Sequence, residues 1–463
     1  MRTLRPTARL ILSSATAVAI ACSVLAAAAT AAHAVTACVI GPSCPQANDD
    51  PDYTTTFNTK LTVDAAHGVL ANDFGPVTAA NGGPTTVDVA NSVSDGGGSN
   101  GHFPSFDGAD VAIKSDGSFV YTPDPTNPFS GIDSFDYDIK DTEGDTDFAT
   151  ATVTVIPVVK DDTYYTKVNT AMTVAPAHGV LANDSGIDPT SLTADSTSAH
   201  GGAVSVNGDG SFEYTPPSGF SGTDTFTYDV FDIDWDNDYT ATVHILVDST
   251  PPKVSLSQPG SVTLSTKATV AWAASDSSGI AHYDVQEAVA PWNAGFAAWA
   301  NWKPGVTVQS ASAATTYGRT YCFRARAMDR AGNTSGWVQR CTTIPLRVAS
   351  LAHRGSWSTQ TNGAYFSGAA MLTRAKGATL TRTGVQARQL YLVVTKCSTC
   401  GSVQVRWNNA VIANVGLSRS AVATRQVIEV AAFSSVRSGT VTVIVTSATG
   451  KPVVVEGLGV LRA

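Results

Sequence analysis

Hydrophobic and polar residues alternate with a period of two along most of this chain, and apolar positions at helical spacing are rare. Runs rich in Thr, Val and Ile, such as 151–156 and 241–247, lie between segments rich in Gly, Pro and Asp. The pattern predicts short strands joined by turns. The length predicts several domains, because one hydrophobic core does not extend over so many residues.

The first half of the chain contains an internal repeat made of three matched blocks. The matched segments are 67–73 with 178–184, 116–123 with 209–216, and 129–135 with 220–226. The second block opens with Asp-Gly, a hairpin turn dipeptide. The aromatic residues that follow should alternate onto one buried face: Phe119 and Tyr121, with Phe212 and Tyr214. The offset between the copies falls from 111 to 93 residues, which predicts an insertion of 18 in the first copy. We expect it to include 94–108 as a flexible loop.

These blocks resemble the bacterial immunoglobulin-like, cadherin-like repeat of surface proteins over residues 49–248. The matching signatures are Gly-Val-Leu-Ala-Asn-Asp, the hairpin Asp-Gly-Ser-Phe-x-Tyr-Thr-Pro, and Phe-x-Gly-x-Asp-x-Phe-x-Tyr. The resemblance implies one seven-stranded Greek-key sandwich in each copy, 49–157 and 158–248. It also implies an adhesive or spacer role, without identifying a ligand.

Residues 251–347 follow a stiff Thr-Pro-Pro linker and resemble a fibronectin type III domain in the segments 320–327 and 329–333. Tyr321 fits the tyrosine-corner position of such domains. A hairpin turn at Gly332-Asn333 places Cys322 and Cys341 opposite each other, within disulfide reach. The segment 291–302 departs from the family pattern and predicts a long loop. Its tryptophans form either a local apolar plug or a ligand surface: Trp292, Trp299 and Trp302.

Residues 348–463 contain about eight strand-like runs and are similar to galactose-binding-like jelly rolls, which are often glycan-binding appendages of secreted enzymes. Three aromatic residues there could stack on sugar faces or belong to the core: Trp357, Tyr365 and Trp407. The predicted fold is therefore all-β, an extended string of four β-sandwich domains of Ig-like, fibronectin-like and jelly-roll-like type.

The first residues have the pattern of a secretory signal peptide. Arg2, Arg5 and Arg9 precede an apolar stretch, and Ala32-His33-Ala34 supplies a cleavage site. We expect a signal at 1–34 followed by an N-terminal segment at 35–48. A lipoprotein signal ending at Cys22 is the alternative. No later apolar run is long enough to span a membrane, so we expect a secreted chain, released or held at the cell surface only by binding.

Six cysteines remain after the signal, an even number that suits an oxidising compartment. Local pairing predicts three disulfides: Cys38–Cys44, Cys322–Cys341 and Cys397–Cys400. The last pair lies between two strand-like runs, which favours a structural turn disulfide over a redox or half-zinc motif.

The charge is distributed unevenly along the chain. Residues 35–250 carry a net charge of −27, whereas 251–347 carry +5 and 348–463 carry +10. Different partners for the two halves or merely soluble surfaces would both explain this asymmetry. The basic excess is diffuse, which argues against nucleic acid and favours anionic wall polymers or acidic polysaccharide.

Catalytic motifs are absent from the sequence. It contains no GxSxG elbow, HExxH helix or P-loop. A paired-carboxylate hydrolase needs two converging acids, yet the acids here are nearly all aspartates in turns. We therefore expect a protein that is not an enzyme.

Calcium is the one cofactor that the sequence favours. Asp141 and Asp145 align with Asp232 and Asp236 at two hairpin tips, where strand alternation places carboxylates on one face. The second tip also carries Asp234. Oxygen-rich clusters suit Ca²⁺, although a solvated hairpin tip is the alternative. By analogy with the family, Asp161 and Asp162 near Asp184 form a second candidate group.

Together these features predict a secreted, non-catalytic binding or adhesion protein. Its expected partner is an extracellular polysaccharide, a cell-wall polymer or another surface protein. The alternatives are a structural spacer without a specific ligand and an accessory module of a secreted hydrolase system.

Overall fold

The structure, a computed structural model, describes residues 44–75, 85–88, 101–142, 144–235 and 237–463. It comprises two compact units, Met1–Ile156 and Pro157–Ala463. Strands form nearly all of the regular structure that is described, which confirms the all-β prediction. The helical elements in these ranges are three single 3-10 turns: Pro176–His178, Val348–Ser350 and Phe366–Gly368.

The first unit contains one sandwich, called the first sandwich. Its strands are β1 (Asp50–Thr56), β2 (Leu61–Val63), β3 (Thr86–Val87), β4 (His102–Pro104), β5 (Asp110–Ile113), β6 (Phe119–Thr122), β7 (Gly131–Lys140) and β8 (Thr146–Ile156). One sheet has the order β1-β8-β7-β3 and the other β2-β6-β5-β4. Strand β1 runs parallel to β8, and the other pairs are antiparallel.

The second unit begins with the second sandwich, which repeats this arrangement. Its strands are β9 (Asp162–Lys167), β10 (Met172–Val174), β11 (Ile187–Ala194), β12 (Ala203–Val206), β13 (Phe212–Thr215), β14 (Gly222–Asp232) and β15 (Asp238–Asp248). The sheets have the orders β11-β14-β15-β9 and β10-β13-β12. The predicted aromatic alternation is confirmed, because Phe119, Tyr121, Phe212 and Tyr214 are all buried in the two cores.

The predicted loop in the first copy is partly wrong. Residues 102–104 form strand β4, and Phe103 is buried in the core. The offset of 93 already holds at Ser105 and Ser198, which donate equivalent hydrogen bonds to Asp133 and Asp224. The insertion therefore lies before Ser105, and residues 94–100 lie outside the described ranges.

The third sandwich contains seven strands: β16 (Lys253–Gln258), β17 (Lys267–Ser275), β18 (Ile280–Pro291), β19 (Ala300–Val306), β20 (Ser310–Ala314), β21 (Arg319–Asp329) and β22 (Val338–Ile344). The sheets have the orders β16-β17-β20 and β19-β18-β21-β22. The hydroxyl of Tyr321 accepts a hydrogen bond from the backbone N–H of Thr316 at 2.9 Å, as expected of a tyrosine corner.

The three tryptophans of the third sandwich have separate environments. Trp302 lies in strand β19, not in a loop, and packs against the core. Trp299 stacks on the Arg324 guanidinium at 4.5 Å, whereas Trp292 contacts Arg382 of the following domain at 3.9 Å. The expectation of one local plug is therefore wrong, because each ring packs against a different neighbour.

The fourth sandwich is built on two long, bulged strands. Its strands are β23 (Leu346–Arg347), β24 (Ala352–Arg354), β25 (Ser358–Thr361), β26 (Ala369–Thr373), β27 (Thr379–Lys396), β28 (Ser402–Trp407), β29 (Ala410–Gly416), β30 (Ala423–Val445) and β31 (Val453–Leu461). Register shifts in the β27–β30 pair, such as that between Arg382 and Val385, interrupt regular pairing. The hydrogen-bonded strand order is β25-β26-β31-β27-β30-β28-β29, with β23 beside β31 and β24 beside β27. The buried apolar residues of this domain form one core cluster.

Two predicted disulfides are confirmed. Cys322 and Cys341 are directly opposed on β21 and β22, with Cα atoms 4.0 Å apart. Cys397 and Cys400 are bonded in the turn after β27. Cys44 is also disulfide-bonded, but Cys38 and the predicted signal lie outside the described residues.

Candidate functional site

A surface cleft of about 310 Å³ opens on the fourth sandwich beside Trp357. Its lining is an aromatic ring, hydroxyl groups and one guanidinium: Ser356, Trp357, Ser358, Leu372, Thr373 and Arg374. The half-buried Trp357 ring packs against the core of this sandwich. Its Nε1–H is buried and has no hydrogen-bond partner. A buried donor without a partner costs about 1–3 kcal/mol and therefore needs an explanation.

The backbone around the cleft is fixed by local hydrogen bonds. The Thr373 hydroxyl donates to the Ser356 carbonyl at 2.6 Å, which ties strand β26 to the segment before β25. The exposed Arg374 donates from Nη1 to the Gly450 carbonyl at 2.9 Å. The cleft therefore presents a fixed aromatic edge, hydroxyls and a positive charge, a combination suited to an oxygen-rich anionic ligand.

The other two aromatic residues that the sequence pointed to are not part of the cleft. Tyr365 is half-buried, and its carbonyl accepts a hydrogen bond from Arg425 at 3.2 Å. Trp407 is only 7% exposed and packs against Phe433 in the core. The hypothesis that Trp407 stacks on a sugar is therefore wrong, because its ring fills the interior.

The hairpin tip of the first sandwich is organised by Asp141. Its carboxylate Oδ1 accepts hydrogen bonds from the backbone N–H groups of Gly144 and Asp145, at 2.9 and 3.0 Å. Asp141 is buried and Asp145 is half-buried. This geometry is that of an aspartate that stabilises its own turn.

The equivalent tip of the second sandwich has the same first residue and a different apex. Asp232 is buried and accepts from the Asn237 amide at 3.2 Å, whereas Asp234 is exposed and Asp236 lies outside the described residues. Trp235, which sequence reasoning missed, is 52% exposed at this apex. Its ring stacks on Phe231 at 5.3 Å, and its Nε1–H donates to Asp188 at 2.6 Å.

The structure brings Asp162 and Asp184 together, as the family analogy predicted. Asp162 is buried, and one of its carboxylate oxygens has no hydrogen-bond partner. Asp184 accepts from the Tyr228 hydroxyl at 2.6 Å and from the Lys160 backbone N–H at 2.9 Å. Asp161 is exposed and instead accepts from the Thr242 N–H at 2.8 Å.

Burial dominates the electrostatics of this pair. It raises the pKa of Asp162 to about 7, and the neighbouring charge of Asp184 raises it further. Burial also raises the pKa of Asp184. The first sandwich has the same network: burial raises the pKa of Asp50 to about 7 and that of Asp73 to about 6.

Protein-family models match segments of the chain that correspond to the first two sandwiches. Residues 43–156 match the bacterial Ig domain family. Residues 155–249 match the bacterial cadherin-like domain family. The resemblance that the repeated blocks indicated is thereby confirmed. No curated protein matches the chain.

Several solved structures are similar to parts of the chain. A family two carbohydrate esterase from Cellvibrio japonicus is 19% identical with a TM-score of 0.20, over 25% of this chain and 31% of the esterase. The fibronectin(III)-like modules of Clostridium thermocellum CbhA are 13% identical with a TM-score of 0.20, over 40% of this chain and 90% of those modules. The CBM36-1 domain of a multidomain xylanase from the hindgut metagenome of Trinervitermes trinervoides is 14% identical with a TM-score of 0.19. The match covers 25% of this chain and 94% of that domain. The chain thus spans about a third of the esterase.

The blocks shared by the Ig and cadherin-like domains have structural roles. Asp133 and Asp224 are fully buried, and each accepts four equivalent hydrogen bonds from its own sandwich. Asp224 has one further contact, with His200 Nδ1 at 3.2 Å. Gly68 and Gly179 pack so closely on the turn of the neighbouring hairpin that an added Cβ would lie 2.1 and 2.2 Å from a carbonyl oxygen. The repeated residues therefore build the sandwich.

Among the residues that the structure describes, none forms a helix with the length and apolar character needed to cross a membrane.

Proposed function

We propose that this chain is a non-catalytic extracellular binding protein whose fourth sandwich attaches to an anionic polysaccharide or cell-wall polymer. Tandem Ig and cadherin-like domains fit a binding or accessory role. Two disulfides in the described ranges suit an oxidising, extracellular compartment. The observation that carries the proposal is the cleft beside Trp357.

The chemistry of the cleft favours a charged sugar polymer over a neutral ligand. A tryptophan ring supplies apolar contact for a sugar face, and the exposed Ser356 and Ser358 supply hydroxyl groups. Arg374 adds a guanidinium that matches a carboxylate or phosphate. The net charge of +10 over residues 348–463 attracts the same class of polymer at longer range.

Sedimentation of the full chain with purified bacterial cell walls tests this proposal. We expect the chain to sediment with the walls at low salt and to be released at 1 M salt, because the Debye length falls from about 10 Å at 0.1 M to about 3 Å at 1 M. Trp357→Ala and Arg374→Ala should each weaken retention about tenfold, the effect of losing a contact worth about 1.4 kcal/mol.

Arg388→Ala is the matched control, since it removes the same charge from an exposed position of the fourth sandwich outside the cleft. Equal losses of retention for Arg374→Ala and Arg388→Ala would indicate diffuse charge attraction and would exclude the cleft as the binding site. Retention at 1 M salt with loss on Trp357→Ala would identify a neutral sugar. Absence of sedimentation at every salt concentration would leave a structural spacer as the function.

Calcium binding by the second sandwich is a second candidate function, and the Asp162–Asp184 pair favours it. A buried carboxylate oxygen without a partner beside a second carboxylate is a costly arrangement that a bound cation would stabilise. Oxygen ligands of this type suit Ca²⁺. Calcium binding by the hairpin-tip aspartates remains a further prediction. Asp141 and Asp232 already accept hydrogen bonds from groups of their own turns.

Calorimetric melting of the full chain with either ion tests this candidate. At one hundred times its dissociation constant, Ca²⁺ should stabilise the second sandwich by about 2.7 kcal/mol, and Mg²⁺ should do less. Asp184→Asn should remove the difference between the two ions, whereas the exposed Asp209→Asn in the same sandwich should not. Equal shifts with both ions in the wild type would indicate generic screening.

A further inference from the structure

Indole rings and guanidinium groups alternate in a row on the third sandwich. The row, called the arginine–tryptophan stack, has four members in this order: Trp299, Arg324, Trp337 and Arg326. The Arg324 guanidinium lies 4.5 Å from the ring centre of each tryptophan. The Arg326 guanidinium lies 4.8 Å from the Trp337 ring centre. All four residues are half-buried, so the stack is an ordered row that remains partly open to solvent.

The stack lies outside the core of its sandwich. Arg324 and Arg326 alternate along β21 with residues that are buried in that core: Phe323, Ala325 and Ala327. Successive side chains of a strand point to opposite faces of the sheet. The two arginines therefore lie on the outer face of the sheet β19-β18-β21-β22, and the core does not require a charged residue at either position.

Hydrogen bonds to the neighbouring strand β18 fix both guanidinium groups. Arg324 donates from Nε and Nη2 to Gln286 Oε1, at 2.8 and 2.5 Å. Arg326 donates from the same two nitrogens to Asp284 Oδ2, at 3.0 and 2.9 Å. Arg326 thus has a carboxylate counter-ion, whereas the partner of Arg324 is a neutral amide. Among the described residues, no carboxylate forms an ion pair with Arg324.

The open edge of the stack carries only hydrogen-bond donors. Within the described ranges, neither Nη1 of the two arginines nor Nε1–H of the two tryptophans has a hydrogen-bond partner, and none of these groups is buried. A guanidinium and an indole N–H donate hydrogen bonds and accept none. Donors that follow one another at less than 5 Å fit a chain of acceptor oxygens with negative charge.

Exposed amide side chains lie on both sides of the stack. Gln339 is opposite Arg324 on β22, and Asn301 is opposite Gln286 on β19. Both residues are exposed, and amide groups donate to and accept from hydroxyls. A polyphosphate offers no hydroxyl to these amides, so the residues beside the stack favour a polymer of acidic sugars.

We propose that the arginine–tryptophan stack binds the carboxylate groups of a polyuronate, a polysaccharide built of acidic sugars. Its ligand belongs to the polymer class of the proposed function, on which this assignment rests, but the stack and the cleft are on different sandwiches. A carboxylate matches the planar guanidinium, as the Arg326–Asp284 pair already shows within the stack. The net charge of +5 over residues 251–347 attracts the same polymer.

Titration calorimetry of the full chain with polygalacturonate measures this binding. Arg324→Gln should weaken it about tenfold, because the charge is lost while an amide can still donate to Gln286. Trp299→Phe keeps an aromatic ring in the stack and removes one N–H, so it should weaken binding about threefold. Thermal unfolding checks that both variants are folded.

Arg340→Gln is the matched control and should bind like the wild type. Arg340 is exposed on β22 and is paired with the core residue Phe323, so its side chain leaves the sheet on the face opposite the stack. Wild-type affinity in Arg324→Gln, an equal loss in Arg340→Gln, or equal binding of polyphosphate or neutral dextran would each overturn the proposal. Self-association that Arg324→Gln abolishes, without any binding of polygalacturonate, would instead assign the stack to the acidic sandwiches of a second copy.

A second background separates the stack from the cleft. In Trp357→Ala, which impairs the cleft, Arg324→Gln should still weaken polygalacturonate binding about tenfold. This result would support the stack even if cell-wall retention did not depend on Trp357, an outcome that removes only the cleft. Loss of the Arg324 effect in this background would overturn the stack as an independent site and would leave the cleft in place.

Discussion

The two copies of the repeat are built on the same polar frame, yet they differ where they end. Asp133 and Asp224 occupy the same buried position with four equivalent donors each, and Asp224 has a further contact with His200 Nδ1. Gly131 pairs with Val155 in the first copy and Gly222 with Val247 in the second, so Ile156 corresponds to Asp248. What the copies share is needed to fold the sandwich, whereas positions such as Ile156 and Asp248 can differ because they lie at the end of the last strand.

The largest expected effect comes from the buried aspartates that the copies share. Asp224→Ala would leave the Tyr214 hydroxyl and the Ser198 hydroxyl without their acceptor, together with two backbone N–H groups. We expect a loss of about 3–5 kcal/mol in the free energy of unfolding of the second sandwich, measured by hydrogen exchange of β14 and β15.

The first copy provides an internal comparison for this prediction. Asp133→Ala should cost the first sandwich a similar free energy, because its donors are equivalent. The exposed turn residues Asp116 and Asp209 serve as controls, and their change to Asn should leave the free energy of unfolding nearly unchanged. Unequal effects of the two buried substitutions would show that the frame is not equivalent in the two copies.

A smaller effect concerns the pH dependence of the Asp162–Asp184 pair. Burial raises the pKa of Asp162 to about 7 in the folded state, against about 3.9 in the unfolded state. At pH values between these two, the folded protein therefore keeps a proton on Asp162 that the unfolded chain has lost. The contribution of this carboxyl to the free energy of unfolding is fully present below about pH 4 and is lost as the pH rises through about 7. Asp162→Asn should remove this decline and raise the free energy of unfolding at pH 8 by about 1–2 kcal/mol, as denaturant titrations at several pH values would show.

The same experiment can be made in the first copy. Burial also raises the pKa of Asp50 to about 7, so Asp50→Asn should flatten the pH dependence of the stability of the first sandwich. Asp161→Asn and Asp49→Asn change exposed neighbours and should leave the decline in place. A decline that persists in Asp162→Asn would mean that another group holds the proton.

Much of the fold was predictable because its signals are local. Strand alternation, the Asp-Gly turns and the register of Cys322 with Cys341 depend on residues close in sequence, and the structure has each of them. The families of the repeats were predictable from short blocks that recur in order. Local patterns of this kind can be recognised in the sequence without knowing which sheets pack together.

The sites were harder to predict because they depend on contacts between distant segments. Carboxylate oxygens of Asp248, Asp276 and Asp329 lie within 4.8 Å of one another, yet these residues are far apart in the chain, and each has the sequence context of an ordinary turn or strand end. Trp407 continues the alternation of the buried Val403 and Val405 along β28, which is the pattern of a core residue, whereas its contact with Phe433 depends on a strand distant in sequence. Hydrophobicity also fails to separate Trp302 from Trp299, since their surroundings differ only in three dimensions.

The smallest expected effect concerns Trp235, at a hairpin tip where the first copy has no tryptophan. Its exposed ring is held by stacking on Phe231 and by one hydrogen bond to Asp188. Trp235→Ala should therefore cost the second sandwich only about 0.5–1 kcal/mol, measured by thermal unfolding. Cell-wall retention should stay at the wild-type level, because Trp235 lies outside the cleft of the fourth sandwich. A loss of retention without a loss of stability would instead make this tip a binding surface that distinguishes the second copy from the first.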